Sequence, residues 1–174
     1  LALLETLPGD VGRAHLELNL QIGLGTAACA SQGYASAQGA AAYARAMALC
    51  GEHVSGPDMF NSVWGLWASA SSRAGYPAAN ELARQLLHMA RQGDDPVQEQ
   101  QAHFALADTL YWQGEFVTAR EHLDRVASRY RPAHHASHIA NFGEDAGITG
   151  GVYRAWVLLF LGYPDQARRA CAEA

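Results

Sequence analysis

Apolar residues recur at helical spacing in nearly every stretch between turn signals, and no run alternates with the period of two that a half-buried strand needs. The segment "QAHFALADTLYWQGEFVTAREHLDRV" shows the pattern. Phe104, Leu106, Leu110 and Tyr111 give one helix its apolar face, "QGEF" interrupts it, and Phe116, Ala119, Leu123 and Val126 supply the stripe of a second. This predicts a helical hairpin. The interruption recurs: "SQGY" centres on Gly33, "RAGYP" on Gly75, "WQGEF" on Gly114 and "FLGYP" on Gly162, at intervals of 42, 39 and 48 residues. Glycine can end a helix in the left-handed conformation, and a proline just afterwards suits the first turn of the next helix. In "GDDPVQEQ", Asp95 is placed to cap a helix and Pro96 to open it. Eight helices are therefore expected, over about 11–32, 37–53, 57–74, 78–92, 96–113, 116–130, 148–161 and 164–174.

Helix pairs repeating with a period of about 20–50 residues predict a solenoid. The expected fold is all-α, a right-handed α-solenoid of about four TPR-like helix hairpins in one domain over 1–174. Its units cover approximately 11–53, 57–92, 96–130 and 148–174, with a connector loop over 131–147. The third unit fits the tetratricopeptide pattern best. Ala107 and Ala119 are small where paired helices must approach, and Leu106, Leu110, Phe116 and Leu123 are large where they fill the space between. The units exceed the usual repeat of about 34 residues, and in the second the turn glycine is displaced by about one position.

Composition narrows the function more than the fold. The chain has 174 residues, 49% hydrophobic and 17% charged, which is a globular balance. A formal net charge of −5 gives no electrostatic reason to expect nucleic acid or an anionic membrane as partner. All 12 basic residues are arginine. Without lysine there is no phosphate-binding P-loop and no Schiff-base chemistry. Cys29, Cys50 and Cys171 are far apart with no C-x-x-C, as in a reducing, cytoplasmic setting. No signal peptide is evident, and the longest apolar run, Ala155 to Gly162, is too short to span a membrane. The opening at Leu1 rather than Met suggests a piece of a larger chain.

The segments "GYASAQGAAAYARAMALC", "VWGLWASASSRAGYPAANELARQLLHMA", "ALADTLYWQGEFVTAREHL" and "AWVLLFLGYPDQA" resemble, in order, the C-terminal TPR-like region of large bacterial signalling proteins. The resemblance runs from about Val11 to the end. In that family a class III adenylate/guanylate cyclase domain or a winged-helix DNA-binding domain precedes a STAND-type ATPase, and the helical repeats follow. The family tends to carry a proline, a histidine and "YGxDPG" between its third and fourth units. Here these read Pro132, His134 or His135, and Phe142 to Gly147, with Ala146 in place of the family's proline. The resemblance implies a non-catalytic module for protein–protein interaction or ligand sensing in a multidomain signalling or transcription regulator. Its partners would be a protein or peptide, including other domains of the same polypeptide, or a second copy joined through uncapped repeat ends.

The sharpest candidate for chemistry is "PAHHASHIANFGEDAG", Pro132 to Gly147. A metal-dependent enzyme would use His134 and His138, spaced i, i+4, with Glu144 or Asp145. The glutamate of H-E-x-x-H is replaced here by His135, and helical geometry is not expected directly after Arg131-Pro132. The segment is therefore read as an ordered connector without metal, with Asp145 near the start of the seventh helix, and substitution of all three histidines is expected to alter stability only modestly.

The remaining motifs have ordinary structural readings. "GLG" at Gly23 to Gly25 lacks a preceding strand and reads as close helix packing. Trp64, Trp67, Trp112 and Trp156 are mostly core, with one or two facing a groove. Arg120, Arg125, Arg129 and Arg131 form a solvated face with Glu121 and Asp124. No G-x-S-x-G context supports a hydrolase. In a tetratricopeptide array the first helix of each pair lines the concave surface. By that analogy Gln101, Phe104, Asp108, Tyr111 and Trp156 line a partner-binding groove, with His135 contributed by the connector. No catalytic, cofactor-binding or metal-binding residue is expected. A free-standing peptide-binding adaptor is the remaining alternative.

Overall fold

The structure is a computed structural model that describes residues 11–53 and 57–173. Every regular element among the described residues is helical. The helices are α1 (Val11–Gln32), α2 (Ala37–His53), α3 (Pro57–Ser72), α4 (Tyr76–Gly93), α5 (Pro96–Trp112), α6 (Phe116–Arg129), α7 (His135–Phe142), α8 (Ala146–Phe160) and α9 (Pro164–Glu173). All eight expected helices are present, with ends shifted by at most two residues. The expectation that the connector is a loop is corrected: it holds a 3-10 turn, Pro132–His134, and then α7. Proline restricts the residue before it, and Arg131 is accordingly extended, at φ −137° and ψ 114°. Pro132 itself then opens the turn, the position where its missing N–H costs nothing.

The recurring breaks share one geometry. Gly33, Gly114 and Gly162 have φ of 84°, 81° and 85°, and in the second unit this conformation falls to Ala74, at φ 58°, one residue before Gly75. The amide after the left-handed residue reaches back to the same carbonyl in three of the turns: Gly75 to Ala70, Glu115 to Leu110 and Tyr163 to Leu158, at 2.9, 2.9 and 2.8 Å. These are glycine-type helix stops built on one template.

The chain divides into two compact units at Gly75/Tyr76, which assigns α3 and α4 to different units. In the first, α2 packs against α1 and α3. Tyr43 of α2 is buried, and its ring fills the space that a side chain at Gly25 or Gly65 would need. Gly25 is therefore small for close packing, as expected, whereas Gly23 has no atom near its missing Cβ. Leu18, Ala46 and Leu49 form the adjoining core, with Ile22 and Met59 against it. Trp64 and Trp67 are buried.

The second unit centres on α5. It packs against α4, α6 and α8, and α8 packs in turn against α6 and α9. Residues 100–109 of α5 are all buried, so this helix has no continuous polar face. Ala107 and Ala119 are fully buried with Leu123 and Val157, and Leu110, Tyr111, Phe116, Tyr153 and Leu161 pack around them. The small residues thus stand where α5 and α6 approach.

Candidate functional site

Two side-chain systems meet on the second unit: a buried polar seam between α5 and α7, and a half-exposed aromatic shelf on α5 and α8. The seam begins with His138, whose imidazole is fully buried. Gln101 donates its amide N–H to His138 Nδ1 at 3.1 Å. His138 Nε2–H donates to Gln100 Oε1 at 2.9 Å, and Gln100 Nε2–H donates to the carbonyl of Val126 at 2.8 Å. An amide nitrogen can only donate, so this chain fixes a neutral imidazole with its proton on Nε2. Burial, the largest cause, holds the ring below the usual histidine range, opposed in part by Asp145.

This geometry removes His138 from the metal reading, because both ring nitrogens are already committed. Among the described residues no group of three or more His, Cys, Asp or Glu is arranged to hold a metal ion. It also gives two of the three histidines defined bonding partners, which bears on the expectation that they matter only modestly for stability. His138 holds α7 against α5, and His135 Nδ1 meets Asp145 Oδ2 at 2.8 Å. Asp145 is the N-cap of α8 as well, accepting from the amide of Gly147 at 2.8 Å. Its expected place at that helix start is therefore found, with the favourable charge–dipole contact that a carboxylate makes there.

Further along the face, Asp108 is 6% exposed and accepts from Trp112 Nε1–H at 3.1 Å. The Tyr153 hydroxyl also bonds to it, and burial together with the Asp108 charge pushes that phenol well above its ordinary value. Glu144, just before the α8 cap, is pushed up to about 7 by burial first and then by the charge of Asp108, while a bond from Thr149 favours its ionised form. Two carboxyl groups from different segments therefore share one weakly solvated region.

Over this region lie the aromatic rings. Tyr111 and Tyr153 have centroids 5.1 Å apart. Trp112 stands 5.2 Å from Tyr111, and Trp156 stands 5.1 Å from Tyr153 and 6.1 Å from Tyr111. Phe160 continues the cluster, stacked on Phe116 at 5.0 Å. Trp112, Trp156 and Phe160 remain 53%, 44% and 59% exposed. Two of the four tryptophans are thus exposed on one unit.

The residues named from the repeat analogy separate accordingly. Asp108, Tyr111 and Trp156 belong together at the shelf. Phe104 is buried beneath it, edge-on to Tyr153 at 5.8 Å. Gln101 is fully buried and belongs to the His138 seam, and His135 is half exposed at the cap of α8. Sequence reasoning missed Trp112 and Tyr153 as partners of Asp108. Their spacing was the available signal: Trp112 follows Asp108 by one helical turn, and Tyr153 precedes Trp156 by three residues. The pair formed by buried His103 and half-buried His122, joined Nδ1 to Nδ1 at 2.9 Å, was also missed. Of the arginines on this face, Arg125 and Arg131 are exposed and Arg120 pairs with Asp124 at 3.6 Å as expected, whereas Arg129 reaches Glu99 of α5 at 3.0 Å.

No protein-family model matches the chain, and no curated protein and no solved structure shows significant similarity to it. No described helix is long and apolar enough to cross a membrane.

Proposed function

We propose that the chain is a non-catalytic helical-repeat module, a right-handed α-solenoid of TPR-like hairpins, that binds a protein partner or senses a ligand within a cytoplasmic bacterial signalling or transcription regulator of the cyclase or ATPase type. The observation that carries this reading is the repeated helix stop, one backbone template used at Ala74, Gly114 and Gly162. Repetition of a turn at near-regular intervals is what stacked helix pairs require. The half-exposed rings on adjacent faces of α5 and α8 support a binding role, since large apolar patches on a stable fold mark interaction sites. Ile148, Val152, Leu159 and Tyr163 add an exposed apolar strip along α8 and just beyond it, which supports assembly with a second copy. The partner is a protein or peptide, other domains of the same polypeptide included.

The test is the reading frame upstream of Leu1, together with an assay of the purified chain. An ATPase domain encoded in frame, and no magnesium-dependent ATP turnover by the chain alone, are the expected results. Turnover proportional to protein, or a frame that encodes only this chain, would overturn the proposal.

A further inference from the structure

The shelf on α5 and α8 combines exposed aromatic faces with buried negative charge, and that combination selects a ligand class. We propose that it binds the guanidinium of an arginine side chain in a protein segment, stacked against the Trp112 and Trp156 rings beside the Asp108 carboxylate. This deepens the reading of the chain as an interaction module and rests on it.

Two observations carry it. The first is ring geometry. Tyr111 and Tyr153 form a floor, and the two indoles rise beside it with about half of each in water. Ring faces attract cations, and a planar guanidinium can stack on them while its edges donate hydrogen bonds. The second is charge. Asp108 is held in place by Trp112 Nε1–H and by the Tyr153 hydroxyl, one helical turn before Trp112. Glu144 lies close enough for the Asp108 charge to disfavour its ionisation, and Asp145 acts on it in the same sense. An arriving cation relieves that repulsion, whereas an anion adds to it. Val152 and Phe160 flank the rings on α8 and offer apolar surface to the aliphatic stem of the incoming side chain.

The experiment titrates the intact chain at pH 8 with N-acetyl-arginine amide, following indole N–H signals and fluorescence. N-acetyl-citrulline amide is the uncharged control of the same shape. Saturable binding of the arginine probe, about tenfold tighter than citrulline, is expected. Asp108→Asn keeps an acceptor for Trp112 and should weaken arginine binding about tenfold while leaving citrulline unchanged. If that variant unfolds, Trp156→Leu, on the exposed side, carries the same test with its fold checked by circular dichroism. Equal binding of arginine and citrulline, or full affinity in the folded variants, would overturn the proposal. Such a result on a chain of intact helicity removes the arginine site alone, because the repeat-module reading fails only on the upstream frame or on ATP turnover.

Discussion

Replacing His103 by Asn should remove one calculable contribution to the pH dependence of folding. His103 is 1% exposed on α5, its Nδ1 meets His122 Nδ1 at 2.9 Å, and its carboxylate neighbour Glu99 is 3.8 Å from Nε2. Burial first, then the charges of His122, Arg125, Arg129 and Arg91, lower it from 6.5 to about 3. The unfolded chain therefore takes up a proton below pH 6.5 that the folded chain refuses, so this stabilisation is present above pH 6.5 and lost as pH falls toward 3. At pH 5 the loss is about 2 kcal/mol relative to pH 8, at about 1.36 kcal/mol per pH unit. The wild-type curve alone does not reveal it. Glu144, raised from 4.5 to about 7, acts in the opposite sense: the folded state holds its proton between those values, and this adds about 2.5 kcal/mol of stability between pH 8 and pH 5. Comparison with His103→Asn cancels that contribution. Asn places an amide where the Nδ1 contact was, and the lowering of His122 comes from its own burial and from Arg125 rather than from His103. Urea unfolding of both proteins at pH 8, 7, 6 and 5 should show the stability gap between them narrowing by about 2 kcal/mol toward pH 5. Parallel curves over that range would refute the reasoning.

Three further substitutions probe the packing. Ala74→Gly should raise stability by about 0.5–1 kcal/mol, because Ala74 bears a left-handed φ of 58° where the equivalent turns use glycine; a lower melting temperature would count against the shared turn template. His138→Ala should cost about 2–4 kcal/mol, through a cavity and the loss of partners for Gln100 and Gln101. Zinc content measured on the same sample should not differ from wild type, and stoichiometric zinc lost with the substitution would restore the metal reading. Gly147→Ala drives a methyl into the Tyr130 ring and should cost about 1–3 kcal/mol in chemical denaturation, with no change indicating that α8 lies farther from that ring.

Helices were legible because the breaks are local. Gly114 and Gly162 end their helices within a few residues, and Asp95 caps α5 through Val97 and Gln98 as its spacing before Pro96 implied. The displaced turn of the second unit was also readable, from the offset of Gly75 against the other glycines. The connector was misread because a proline rule that acts on the preceding residue was extended to the following ones. Function was harder to read because its determinants are long-range. Gln100 and Gln101 reach His138 across nearly forty residues, and no periodicity encodes that contact. Burial on all sides of α5 also removed the polar stripe that would have fixed which of its residues face outward, so the analogy placed Gln101 and Phe104 at the surface while Trp112 was passed over.

The most direct test of the interaction role is photo-cross-linking in the intact gene product, with benzoylphenylalanine at Phe160, 59% exposed beside the shelf, and, as control, at the exposed Arg125 of α6. Sequencing of the cross-linked peptide should give one defined protein segment containing arginine from position 160 and none from position 125. A defined segment captured only from position 125, or no adduct from position 160, would contradict a binding face on α5 and α8.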